Sequence, residues 1–123
     1  TVSGALTISG EDAGVFGTSF TPETVDYSEN AGAVAFVFLT ASFRQISTSA
    51  VKPSLAAIQA GASASPASWA VSGAPETPID GLTATRNGDA FTLEYQSVVL
   101  APYVGAEGDL VVDGTLTVTV TGR

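Results

Sequence analysis

The stretch "LTATRNGDAFTLEYQ", residues 82–96, decides the fold. Asn87-Gly88 stands between two runs in which apolar and polar residues alternate. Asn and Gly both tolerate positive φ, which a tight hairpin turn requires, so residues 82–85 and 90–96 are expected to pair antiparallel. A side-chain period of two puts Phe91, Leu93 and Tyr95 on one face. Beyond Gln96 the phase reverses, and Val98 and Leu100 fall in the opposite register. A β-bulge near Gln96-Ser97 would restore it.

The same alternation runs to the C-terminus. In "DGTLTVTVTG", residues 113–122, Leu116, Val118 and Val120 continue a core row that starts at Leu110 and Val112. Thr115, Thr117, Thr119 and Thr121 occupy the other face. "TVSGALTIS", residues 1–9, repeats the arrangement: Val2, Leu6 and Ile8 on one side, Ser3, Thr7 and Ser9 on the other. Residues 2–9 and 112–119 share the pattern V-x-G-x-L-T-[IV]-[ST], which two strands in one environment acquire without duplication. No solenoid period accompanies it. The terminal strands are expected to be neighbours.

"AVAFVFLT", residues 33–40, is apolar at nearly every position, as in a strand covered on both faces, with Phe36 and Phe38 opposite Val37 and Leu39. "VFGTSF", "TVDYS" and "SWAVS" read as further strands. "KPSLAAIQAG", residues 52–61, reads differently. Ser54 is a candidate N-cap, Leu55 and Ile58 lie one turn apart, and Gly61 follows, which predicts one short helix in the 53–61 region. Pro75 and Pro78 each lack a ladder donor and mark residues 73–81 as a loop. The expected fold is all-β, a single antiparallel β-sandwich domain over residues 1–123 with about seven or eight strands; a small β-barrel is the alternative.

Composition excludes much chemistry. Without His or Cys, Ser-His-Asp catalysis, cysteine nucleophiles and His- or Cys-based metal sites are ruled out. Lys52 is the only lysine and has no supporting motif, and no phosphate-cradling glycine pattern occurs. The net charge of −8 comes from 12 acidic and 4 scattered basic residues, so nucleic acid and anionic membrane surfaces are not expected partners. The longest apolar run, residues 31–39, is too short for a membrane-spanning helix.

Carboxylates remain. Glu11-Asp12, Asp26 with Glu29, Asp89 with Glu94 and Glu107 with Asp109 are close pairs, the raw material of a glycoside-active enzyme. Hard oxygen ligands in "GEDAG", "DYSEN" and "GAEGDLVVDG" make Ca²⁺ the one cofactor to consider, although EF-hand spacing is absent and the expectation is no cofactor. Tyr103, between Pro102 and Gly105, and Trp69 are the candidate ligand-binding aromatics.

The threonine row is a solvent face, a contact face or an ordered-water array. Its candidate contact residues are Thr115, Thr117, Thr119, Thr121, Thr7 and Ser9. The expected function is non-catalytic: a structural assembly subunit or adhesion-type module with protein partners, self-assembly included. A carbohydrate- or Ca²⁺-binding module is the alternative, and a carboxylate-dependent enzyme ranks below it. The sequence opens at Thr1 rather than Met, which fits a processed precursor and an extracellular, cell-envelope or virion location.

Overall fold

The computed structural model describes residues 2–40, 44–52, 54–64 and 67–120. Among these residues, ten strands and one four-residue helix make up the regular structure: β1 (Val2–Ser9), α1 (Ala13–Phe16), β2 (Ser19–Phe20), β3 (Thr24–Glu29), β4 (Ala33–Leu39), β5 (Gln45–Val51), β6 (Ala56–Ala64), β7 (Ala67–Ser72), β8 (Leu82–Asn87), β9 (Ala90–Pro102) and β10 (Leu110–Thr119). Every pairing is antiparallel, in the order β2-β1-β10-β9-β7-β6-β5-β4-β3, with β8 also on β9. The sheet curls as a half-barrel, so the all-β antiparallel expectation holds in its barrel-like form.

Strand β9 makes the curl. Its first half pairs with β8, Leu93 opposite Ala84, while Ala101 and Pro102 pair with β7. Along its other edge it follows β10. The change of partner coincides with the expected bulge. Val112 faces Val98 and Gly114 faces Tyr95, so Asp113 alone stands against Gln96 and Ser97. Ser97 takes φ +52°, and its N–H donates to Asp113 Oδ1 at 2.8 Å. The extra residue restores the phase: Phe91, Leu93, Tyr95, Val98 and Leu100 all point into the core.

The terminal strands pair from Val2↔Val118 to Ser9↔Val111. Their shared pattern has a local cause. Gly4 lies opposite Leu116 and Gly114 opposite Leu6, so the two strands are related by a pseudo-two-fold axis. Both glycines have positive φ, +103° and +134°. A Cβ at Gly4 would come within 2.3 Å of the Thr115 carbonyl oxygen, and one at Gly114 within 2.6 Å of that of Ala5. Each pattern therefore supplies a glycine where the partner backbone approaches and a leucine that packs across it.

The predicted helix in the 53–61 region is not formed; β6 takes up residues 56–61 of it, and the one helix among the described residues lies at Ala13–Phe16. Leu55 has φ +56°, which breaks a right-handed helix at its first turn. Ala50 pairs with Ala57 and Ser49 with Gln59, leaving Ile58 as an inserted residue. That insertion breaks the period of two, and Leu55 and Ile58 then mimic a helical spacing. An isolated two-turn helix is marginal, whereas β6 gains hydrogen bonds to β5 and β7 on both edges. Its buried alanines, Ala57, Ala60 and Ala62, leave room for large rings opposite.

The core is one cluster drawn from both halves of the curl. Phe36 of β4 meets Phe91 of β9 edge-on at 5.2 Å, and Tyr27 of β3 lies 5.5 Å from the same ring. At the other end Phe16 of α1 packs edge-on against Trp69 at 5.7 Å. Leu110, Val112, Leu116 and Val118 form the expected inner row of β10, and Val120 packs at its margin. On β4, Val34, Phe36 and Phe38 are buried, but Val37 and Leu39 are only half-covered. Among the described residues no layer covers the second face of that strand.

Candidate functional site

Four strands, β1, β10, β9 and β8, present a common outer face. Residues across them align in register. Ser3 faces Thr117, Thr117 faces Thr92, and Thr92 faces Thr85. The next row is Ala5, Thr115, Glu94 and Thr83. Hydroxyl-bearing side chains thus repeat about every 4.8 Å across strands and about every 6.8 Å along them. β-branched threonine suits such positions because its methyl packs on the pleat while its hydroxyl faces water.

Thr7, Ser9 and Thr115 are exposed on this face; Thr117 and Thr119 are half-buried. Thr7 pairs with Asp113 and Ser9 with Val111. Thr121 lies outside the described residues. Alternation placed Ser3 on the face of Thr7 and Ser9, but the candidate contact residues left it out, together with Thr83, Thr85 and Thr92. Their signal was present in the opening hairpin, where all three threonines alternate against Leu82, Ala84, Phe91 and Leu93. What was missing was the adjacency of β9 and β10.

The face carries few charges for so acidic a chain: Glu94 and Asp113 are the acids within its rows. It ends in two open edges. Among the described residues β8 pairs with β9 alone. On β1, β2 pairs with only Leu6 and Thr7, and among the described residues no strand pairs with Val2 to Ala5 on that side. β10 lies between β1 and β9, so strand addition at its edge is closed off.

The candidate aromatics part company. Tyr103 is 76% exposed, whereas Trp69 is 1% exposed. Trp69 is therefore a core residue with no face for a ligand. Its indole N–H donates to Asp12 Oδ2 at 3.1 Å and to the Gly108 carbonyl at 3.0 Å. The same carboxylate oxygen accepts the N–H groups of Glu107 and Gly108, each at 3.0 Å. These backbone donors, with the indole, hold the Asp12 carboxyl below its ordinary pKa. The structure thus joins "GEDAG" to the 105–109 loop, as a calcium site would need, but spends the central carboxylate on N–H donors. Among the described residues no three acidic side chains converge on a metal position.

The described cations are also engaged. Arg44 donates to the carbonyls of Phe16 and Ser19 at 3.0 and 2.8 Å. Lys52 and Arg86 converge on Glu29, at 2.7 and 3.6 Å. Glu29 also accepts from the Tyr27 hydroxyl. Lys52 is the first cause that brings the Glu29 carboxyl down from 4.5 to about 2, followed by Tyr27. Glu29, Lys52 and Arg86 thus tie β3 to β8 and to the residue that follows β5.

No helix among the described residues is long and apolar enough to cross a membrane. No family model, curated protein or solved structure matches the chain.

Proposed function

We propose that the protein is a non-catalytic contact module that lays the threonine face of β1, β10, β9 and β8 against a protein partner, with a second copy of the chain as the partner to test first. The observation that carries this reading is the register of Ser3, Thr117, Thr92 and Thr85 across four strands. Aligned, short hydroxyl side chains, three of the four β-branched, lose little side-chain entropy on contact, and their hydroxyls donate as well as accept. Two further features support it. The rows carry only two acids, Glu94 and Asp113, of the chain's 12, and the open edges, Val2 to Ala5 and β8, offer main-chain groups for strand addition. The absence of His and Cys favours contact over catalysis. The reading is of an exported assembly or adhesion subunit, in keeping with an acidic surface of net charge −8.

Size-exclusion chromatography with light scattering, followed by electron microscopy, tests it. Mass should rise with concentration, and Thr85→Lys with Thr115→Lys, both at exposed positions, should keep the fold and abolish the rise. A wild-type monomer at millimolar concentration without fibres, or association indifferent to the two lysines, refutes it.

A further inference from the structure

The outer face of β5, β6 and β7, on the half of the curl away from the threonine rows, carries a groove of about 260 Å³. Its floor is a cross-strand row of small residues, Ser47, Gly61 and Ala70. The row on one side is Gln45, Ser63 and Ser68. Gln59 rises on the other side. The depression follows from side-chain length: two glutamines flank a floor whose middle position has no side chain. A Cβ on Gly61 would already lie 3.2 Å from the Trp69 carbonyl oxygen and 3.4 Å from Ser47 Oγ.

Tyr103 stands at the end of this groove. Its backbone is pinned to β7: the Tyr103 N–H donates to the Ser68 carbonyl at 3.0 Å, and the Val104 N–H donates to Ser68 Oγ at 3.3 Å. Tyr103 as a whole is 76% exposed and Val104 beside it 57%. These are two of the four large exposed hydrophobic side chains among the described residues. The ring stays in water on folding, so a ligand stacked on it would bury apolar surface that the fold leaves exposed.

Among the described residues the lining contains no ionisable group except the tyrosine phenol. Its polar side chains are amides and hydroxyls, which donate and accept alike. A ligand for such a surface carries many hydroxyls, no charge and an apolar face for the ring. We propose that the groove binds a neutral oligosaccharide, one sugar ring stacking on Tyr103 and its neighbour's hydroxyls meeting Gln59, Gln45 and Ser63. Anionic glycans are disfavoured because the lining has no cation and the chain as a whole is strongly acidic.

The test screens the intact chain on an array of immobilised neutral glycans, including β-glucan, α-glucan and mannan oligosaccharides, with heparin fragments as the charged comparison. Isothermal titration then follows with the best soluble binder. Neutral binding is expected, weakened at least tenfold by Tyr103→Ala and by Gln59→Ala, both exposed positions, with unchanged melting temperature. Ala70→Leu, which fills the floor, should weaken it similarly. No neutral binder, preference for heparin, or full binding by Tyr103→Ala overturns the proposal. The contact face plays no part in the result, since Thr85→Lys with Thr115→Lys should bind glycan as wild type does.

Discussion

Removing the buried hydroxyl of Tyr95 should destabilise the fold only while Thr48 keeps its own. Thr48 Oγ1 and Tyr95 Oη lie 2.6 Å apart, with the residues 1% and 3% exposed, and they join β5 to β9 across the core. No buried side-chain polar atom among the described residues lacks a partner. Burial pushes the Tyr95 phenol up, so it stays protonated and can donate throughout the usual pH range. Tyr95→Phe leaves the threonine hydroxyl unpaired in an apolar surround, at a cost of about 1–3 kcal/mol. Thr48→Val, close in shape, strands the phenol at a similar cost. In the double variant neither polar group remains, so its loss should be no larger than that of either single. A coupling of at least about 1 kcal/mol follows. In a domain of this length each kcal/mol moves the melting temperature by about 3–5 °C. Urea unfolding followed by Trp69 fluorescence measures all four corners of the cycle, because that ring is buried and becomes wet on unfolding. Losses that add within about 0.5 kcal/mol would refute the reasoning and mean that the hydroxyls do not depend on each other.

Acid should weaken the clasp at Glu29. Its folded carboxyl is depressed from 4.5 to about 2, so its contribution is complete above the ordinary value and is lost as pH falls from about 4.5 towards 2. Thermal melts across that window should show a shallower pH slope for Glu29→Gln than for wild type; equal slopes would contradict the assignment. Gly114→Ala should cost more than about 1 kcal/mol in urea titration, since φ +134° and the Ala5 carbonyl both oppose a side chain. Asp12→Ala should lower the melting temperature and alter the near-ultraviolet dichroism of Trp69, because it strips the shared acceptor from the indole and two backbone N–H groups.

Sequence alone determined what depends on near neighbours. Alternation named the inward faces of β1, β8, β9 and β10; Asn87-Gly88 named the hairpin; the reversed phase after Gln96 named the bulge. It also named most of the threonine row on β10, because side-chain direction follows from strand period. Tertiary structure decided everything that depends on which segments meet. Residues 56–64 became a strand because β5 and β7 both pair with them, and the inserted Ile58 had hidden their period. Trp69 became a buried hydrogen-bond donor because a turn 57 residues away brings Asp12 to it. The rows that align Thr117 with Thr92 and Thr85, and the groove that sets Gly61 between two glutamines, exist only through cross-strand register. Register between distant strands is a property of the packed sheet, set by which apolar faces share a core, and no local pattern encodes it.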